Sequence, residues 1–153
     1  MTTAMHPIRS RHVLVVEDDP AIRSLLAVLM RKAGLAVDVA ANGIEALASL
    51  EKRDYAVILL DLNMPGMDGF GFMRELRVRC ERSGEKPLVV VISAALESED
   101  VVARIDTELV GAAIRKPFEP AHLQSIVSLY VAAVAELDPL QKLDSDVPFK
   151  ELN

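Results

Sequence analysis

Five side chains, Glu17, Asp18, Asp61, Ser93 and Lys116, combine into one chemistry if the fold brings them together. Each stands at the close of a short apolar run: Val13–Val16, Val57–Leu60, Leu88–Ile92 and Ala112–Arg115. Two carboxylates about 5 Å apart repel by roughly 3 kcal/mol at an effective dielectric of 20. Three of them must take up a proton or a cation. Hard carboxylate oxygens with no His or Cys beside them suit Mg²⁺, which shares phosphate oxygens and keeps several waters. A carboxylate beside that ion, a hydroxyl and a lysine are equipped for phosphoryl transfer. The Asp61 oxygen attacks in line, Lys116 offsets charge on the equatorial oxygens, and Ser93 donates to one of them. Singly, each residue has a plainer reading. Glu17 and Asp18 serve as loop acids at a helix N-terminus, Asp61 as a loop cap, Ser93 as an N-cap, and Lys116 as a surface lysine before a turn proline.

The elements that position these residues are legible in the pattern. Val57-Ile58-Leu59-Leu60 is too short for a helix and does not alternate, so it reads as a strand buried on both faces. Met64-Pro65-Gly66 and Asp68-Gly69 end it. His12–Val16 and Leu88–Ile92 read the same way, with Val37–Ala40 and Ala112–Arg115 as weaker strands. Asp19-Pro20 is a helix start, Asp capping and Pro at the first helical position. Ile22, Leu25, Leu26, Leu29 and Ala33 follow at helical spacing. That phase puts Ser24, Ala27, Val28 and Arg31 on the far side as a candidate docking patch. Further helices are predicted from Asn42-Gly43 to near Arg53, Gly69 to Arg82, through Val101, Val102, Ile105 and Leu109, and Glu119 to Leu137. Five strands alternating with five helices imply a parallel α/β sheet covered on both faces. All strand C-termini then share one edge, where open α/β sheets bind ligands.

Length and composition narrow the function class. At 153 residues, 51% of them hydrophobic, the chain supports one ordinary domain. Its expected division is a loose lead-in over 1–11, a domain over 12–137 and a charged tail over 138–153 without an effector domain. The tail's Leu140, Leu143, Val147, Phe149 and Leu152 are spaced so that packing on the last helix competes with a loose end. No apolar run reaches 18 residues, and no signal peptide is recognisable, so neither membrane insertion nor export is expected. A lone Cys80 fits a reducing cytoplasm. The net charge is −6, and Arg74, Arg77, Arg79 and Arg82 are interleaved with Glu75, Glu81 and Glu85. That reads as a solvated helix face, not a nucleic-acid footprint.

Val13–Pro20 (VLVVEDDP), Val57–Gly69 (VILLDLNMPGMDG), Val91–Ala94 (VISA) and Lys116–Phe118 (KPF) resemble, in order, the signature segments of bacterial response-regulator receiver domains. The resemblance covers roughly residues 12–137. It implies a (βα)₅ flavodoxin-like fold with strand order 2-1-3-4-5. It also implies a two-component phosphorelay, with phosphate passing from a histidine kinase or histidine phosphotransfer protein to an aspartate. By motif position Asp61 is the phosphoacceptor. Glu17, Asp18, Asp61 and the backbone carbonyl of Asn63 hold Mg²⁺, Ser93 is the switch hydroxyl, Lys116 contacts the phosphate, and Lys116-Pro117 is cis. Output passes to a downstream target protein or a homodimer through the surface around the fourth helix, fifth strand and fifth helix. Such a chain is not an enzyme beyond slow self-phosphorylation from small phosphodonors and self-dephosphorylation.

Two departures stand out. Ala113 occupies a position often aromatic in the family, which removes the usual rotating reporter. The Gly69–Pro87 segment is slightly longer than usual. Two rivals are a phosphorylation-independent binding module and a haloacid-dehalogenase-type phosphatase. The phosphatase needs a second Asp two residues after its nucleophile, where this chain has Asn63. A flavodoxin is rejected because the first strand ends in acids, not in a Gly- and hydroxyl-rich phosphate loop.

Overall fold

The computed structural model describes the backbone of residues 5–146 and side chains through residue 137. Strands β1 (His6–Pro7), β2 (His12–Val16), β3 (Ala36–Ala40), β4 (Val57–Leu60), β5 (Glu85–Lys86), β6 (Leu88–Ser93) and β7 (Val110–Arg115) alternate with five α-helices. These are α1 (Pro20–Lys32), α2 (Gly43–Leu50), α3 (Gly69–Ser83), α4 (Glu99–Ala103) and α5 (Pro120–Asp146). The main sheet is parallel throughout, ordered β3-β2-β4-β6-β7. That is the predicted 2-1-3-4-5 arrangement of a flavodoxin-like (βα)₅ fold.

The apolar strands are buried on both faces because successive side chains point to opposite sides. Leu14, Val16, Ile58, Leu60, Val89 and Val91 pack with Ala46 and Leu50 of α2 and Phe72, Met73 and Leu76 of α3. Val13, Val15, Val57, Leu59, Val90 and Ile92 pack with Leu26, Leu29 and Met30 of α1 and Leu123 and Val127 of α5. The centre of the sheet is therefore sandwiched, and polar groups gather at its ends and on edge strand β3.

Several local expectations are revised. In the lead-in, β1 runs parallel to β5, with His6 N–H donating to Gly84 O and Ile8 N–H to Lys86 O. The α1 wheel is rotated from its expected phase: Ala27 is 4% exposed and Leu25 43%, so the outer face carries Leu25 and Val28 with Ser24 and Arg31. The predicted helix through Leu109 stops at Ala103, because the Asp106 carboxylate accepts from Glu108 N–H and Leu109 N–H and turns the chain. A 3₁₀ turn (Ala94–Glu97) precedes α4, and neither buries a side chain. Helix α2 ends at Leu50, short of Arg53, and α5 continues nine residues past Leu137 to Asp146. The tail residues Val147, Phe149 and Leu152 lie outside the described residues.

Candidate functional site

Local chemistry sets each site residue at the C-terminal edge of the sheet. Glu17 and Asp18 follow β2, and Asp19 caps α1 by accepting from Ala21 N–H and Ile22 N–H. Arg23, one turn into α1, donates to the carbonyls of Glu17 and Asp18 at 3.0 and 3.3 Å. It thereby fixes the acidic loop. Asp61 N–H donates to Val16 O, which holds the start of the β4–α3 loop against β2. Gly69 then lets α3 start against that loop: a Cβ there would lie 2.6 Å from Asp61 O and 2.7 Å from Leu62 Cα. Gly66 supplies the loop's positive φ of 74°.

The strand ends bring the acids together. Carboxylate oxygens of Glu17, Asp18 and Asp61 all lie within 4.8 Å of one another. Glu17 is 1% exposed and Asp61 6%, whereas Asp18 reaches solvent. Lys116 crosses from the end of β7, its Nζ 2.6 Å from Glu17 Oε1 and 3.4 Å from Asp61 Oδ2. The ammonium therefore pairs with two of the three carboxylates, and negative charge remains in excess. Burial, reinforced by Asp61, pushes the Glu17 carboxyl up to about 7 against the pull of Lys116. For Lys116, burial works downward, but the hydrogen bond to Glu17 and the charges of Asp61 and Glu17 outweigh it, so its pKa rises.

Ser93 closes β6, the neighbour of β4, and is fully buried. Its hydroxyl oxygen accepts from Ala95 N–H at 3.1 Å, which leaves its own proton to donate. Lys116 N–H donates to Ser93 O, joining the last two strand ends, and the Lys116-Pro117 peptide is cis. Asn63 lies in the loop with its N–H 3.3 Å from Asp61 Oδ1. Ala113 is exposed on β7. The sequence thus identified the acids and Lys116 as neighbours, but not the anchoring role of Arg23. Its only sequence signal is a cation in the first turn after an acidic pair.

The acidic cluster can hold a divalent cation, since three carboxylate oxygens converge without enough cationic charge to balance them. The fold and this cluster define a receiver. The chain belongs to the response regulator receiver domain family, whose model matches residues 13–128. It is 32% identical over 142 residues to the probable transcriptional regulator ycf27 of Cyanidium caldarium, covering 89% of this chain and 54% of the relative. It is 31% identical over 150 residues to the DNA-binding response regulator MtrA of Mycolicibacterium smegmatis, covering 94% and 62%. The chain thus spans little more than half the length of those two regulators. Among solved structures, chemotaxis protein CheY4 of Vibrio cholerae superposes with TM-score 0.68 at 28% identity, covering 83% of this chain and 99% of that one. The receiver domain of sensor histidine kinase PA1611 from Pseudomonas aeruginosa, with magnesium in its active-site cleft, gives TM-score 0.68 at 27% identity. That match covers 80% of this chain and 98% of the other. Receivers are phosphoacceptors, not classical enzymes. Among the described residues no helix is long and apolar enough to cross a membrane.

Proposed function

We propose that Asp61 accepts a phosphoryl group from the phosphohistidine of a sensor kinase or phosphotransfer protein. The observation that carries this reading is the meeting of Asp61 with Glu17, Asp18 and Lys116 at one sheet edge. A carboxylate oxygen of Asp61 forms the new P–O bond as the P–N bond breaks, and the electron pair returns to the donor's ring nitrogen. Lys116 offsets charge on the equatorial oxygens, and the Ser93 hydroxyl donates to one of them. Glu17, Asp18, Asp61 and the Asn63 carbonyl would hold Mg²⁺, which when bound supplies further positive charge to the phosphoryl oxygens. The chain would turn over no substrate beyond slow self-phosphorylation from small phosphodonors and loss of its own phosphate.

The signal would leave through a protein–protein surface around α4, β7 and α5, read by a target protein or a second copy. With Ala113 in place of an aromatic, the movement falls to the backbone from Ser93 to Leu96, which joins the Ser93 hydroxyl to a 3₁₀ turn that buries no side chain. A reducing cytoplasm suits this chemistry and the buried, unpaired Cys80.

Acetyl phosphate with Mg²⁺ tests the scheme by intact mass. The wild-type chain gains one phosphoryl group, and EDTA or Asp61→Asn abolishes the gain. A gain that persists in Asp61→Asn removes Asp61 as acceptor. No gain in the wild-type chain, together with unchanged target binding, leaves a phosphorylation-independent binding module.

A further inference from the structure

The cleft between α3 and the segment after α4 carries an excess of arginine. It encloses about 370 Å³ lined by Phe70, Met73, Arg74, Arg77, Arg104 and Asp106. Three arginines against one aspartate line it, in a chain of net charge −6. Arg77 is already neutralised: its guanidinium takes both Asp106 oxygens at 2.9 and 2.8 Å and also pairs with Glu81 and Glu108. That pairing makes the Asp106 side of the cleft a fixed wall. Arg74 and Arg104 differ. Both are exposed, and among the described residues neither has an ion-pair partner. Arg104 is also held in place, its guanidinium carbon 3.9 Å from the centroid of the Phe70 ring. That contact with the ring face restrains the side chain and leaves guanidinium N–H groups available.

We propose that this cleft docks an acidic segment of a partner protein. Carboxylates of the segment would pair with Arg74 and Arg104, and an apolar side chain would cover the Phe70 and Met73 floor. The site adjoins the C-terminal end of α4 but includes no residue of β7 or α5. It is nonetheless linked to Asp61, because Phe70 directly follows Gly69, which packs on the Asp61 backbone. To the extent that docking responds to phosphorylation, the inference rests on Asp61 being the acceptor.

A fluorescein-labelled peptide of Glu-Glu-Leu-Leu repeats, with a Lys-Lys-Leu-Leu control, is titrated against the full chain with and without Mg²⁺ and beryllofluoride. The acidic peptide should bind, the lysine peptide should not, and amide NMR shifts should centre on residues 70–77 and 104–106. Arg74→Glu combined with Arg104→Ala should weaken binding at least tenfold, and Arg74→Glu alone should weaken it measurably. Arg82→Glu, at the far end of α3, should leave it unchanged. Equal binding by the double variant, or shifts centred elsewhere, overturns the proposal. A concentration-dependent dimer that Arg74→Glu dissociates also overturns it, in favour of a second copy. Binding that ignores beryllofluoride while acetyl phosphate still modifies Asp61 removes the link to the switch and leaves the docking site standing. Absence of that modification counts against the acceptor assignment alone.

Discussion

The two ends of the sheet handle charge in opposite ways. At the C-terminal edge, three carboxylates converge and only the two buried ones, Glu17 and Asp61, pair with the Lys116 ammonium. On the β3 side, toward the other end, polar groups are matched. Buried Tyr55 donates to Asp38 Oδ2 at 2.6 Å, and Arg53 meets the same oxygen at 3.1 Å. The matched network balances its charges and holds strands and loops together. The unmatched one stores repulsion that a bound cation would relieve. Stability is therefore set at one end and given up at the other for function.

Removing an acid at each end should sharpen this contrast, because the signs differ. Without Mg²⁺, Asp61→Asn should raise stability by about 1–3 kcal/mol, since it relieves repulsion of about 3 kcal/mol per close pair. In the same urea titration, Mg²⁺ should stabilise the wild-type chain and leave Asp61→Asn unmoved. A fall in stability for Asp61→Asn without the ion would break the comparison. Asp38→Ala should instead cost about 1–3 kcal/mol, because it leaves the buried Tyr55 hydroxyl without its acceptor. Retained urea stability there would show that the pairing does not matter.

A smaller effect follows from titration at the matched end. Burial, then the hydrogen bond to Asp38, pushes the Tyr55 phenol up to about 12 from its ordinary 10. The protonated phenol is the form the fold favours. Its contribution is complete below pH 10 and is lost as pH rises from about 10 to 12. Wild type should therefore lose stability faster than Tyr55→Phe across that window in parallel thermal melts. The smallest change is expected for Arg53→Ala, under about 1 kcal/mol, since both side chains of that ion pair are partly exposed. A cost several times larger would mean that Arg53 anchors Asp38 for Tyr55.

Much of this was legible in the chain because burial on both faces leaves a plain signature. Val57–Leu60 and Leu88–Ile92 admit no other placement, and the acids after them inherit a shared edge from parallel topology. Asp19-Pro20 marked the start of α1 by cap chemistry alone. The remaining features depend on neighbours distant in sequence. His6-Pro7 and Glu85-Lys86 carry no strand propensity, and their pairing comes from chain geometry around Gly84. In α1, Leu25 fits the apolar stripe by spacing alone, and only packing against β3 and α5 selects Ala27. Val101, Val102, Ile105 and Leu109 have helical spacing, yet the Asp106 carboxylate competes for the backbone and breaks the helix. The Arg77–Asp106 and Arg104–Phe70 contacts bridge segments about 30 residues apart, which no local pattern reports.

The position of β1 has a practical consequence. Paired with β5 ahead of β6, it brings the N-terminal segment in beneath the molecule, and α5 runs back from Lys116 toward that same underside. A fluorophore or surface tether attached at His6 or Leu137 would project away from the acids. Immobilised or tagged protein would then present its reactive rim unobstructed to anything diffusing past.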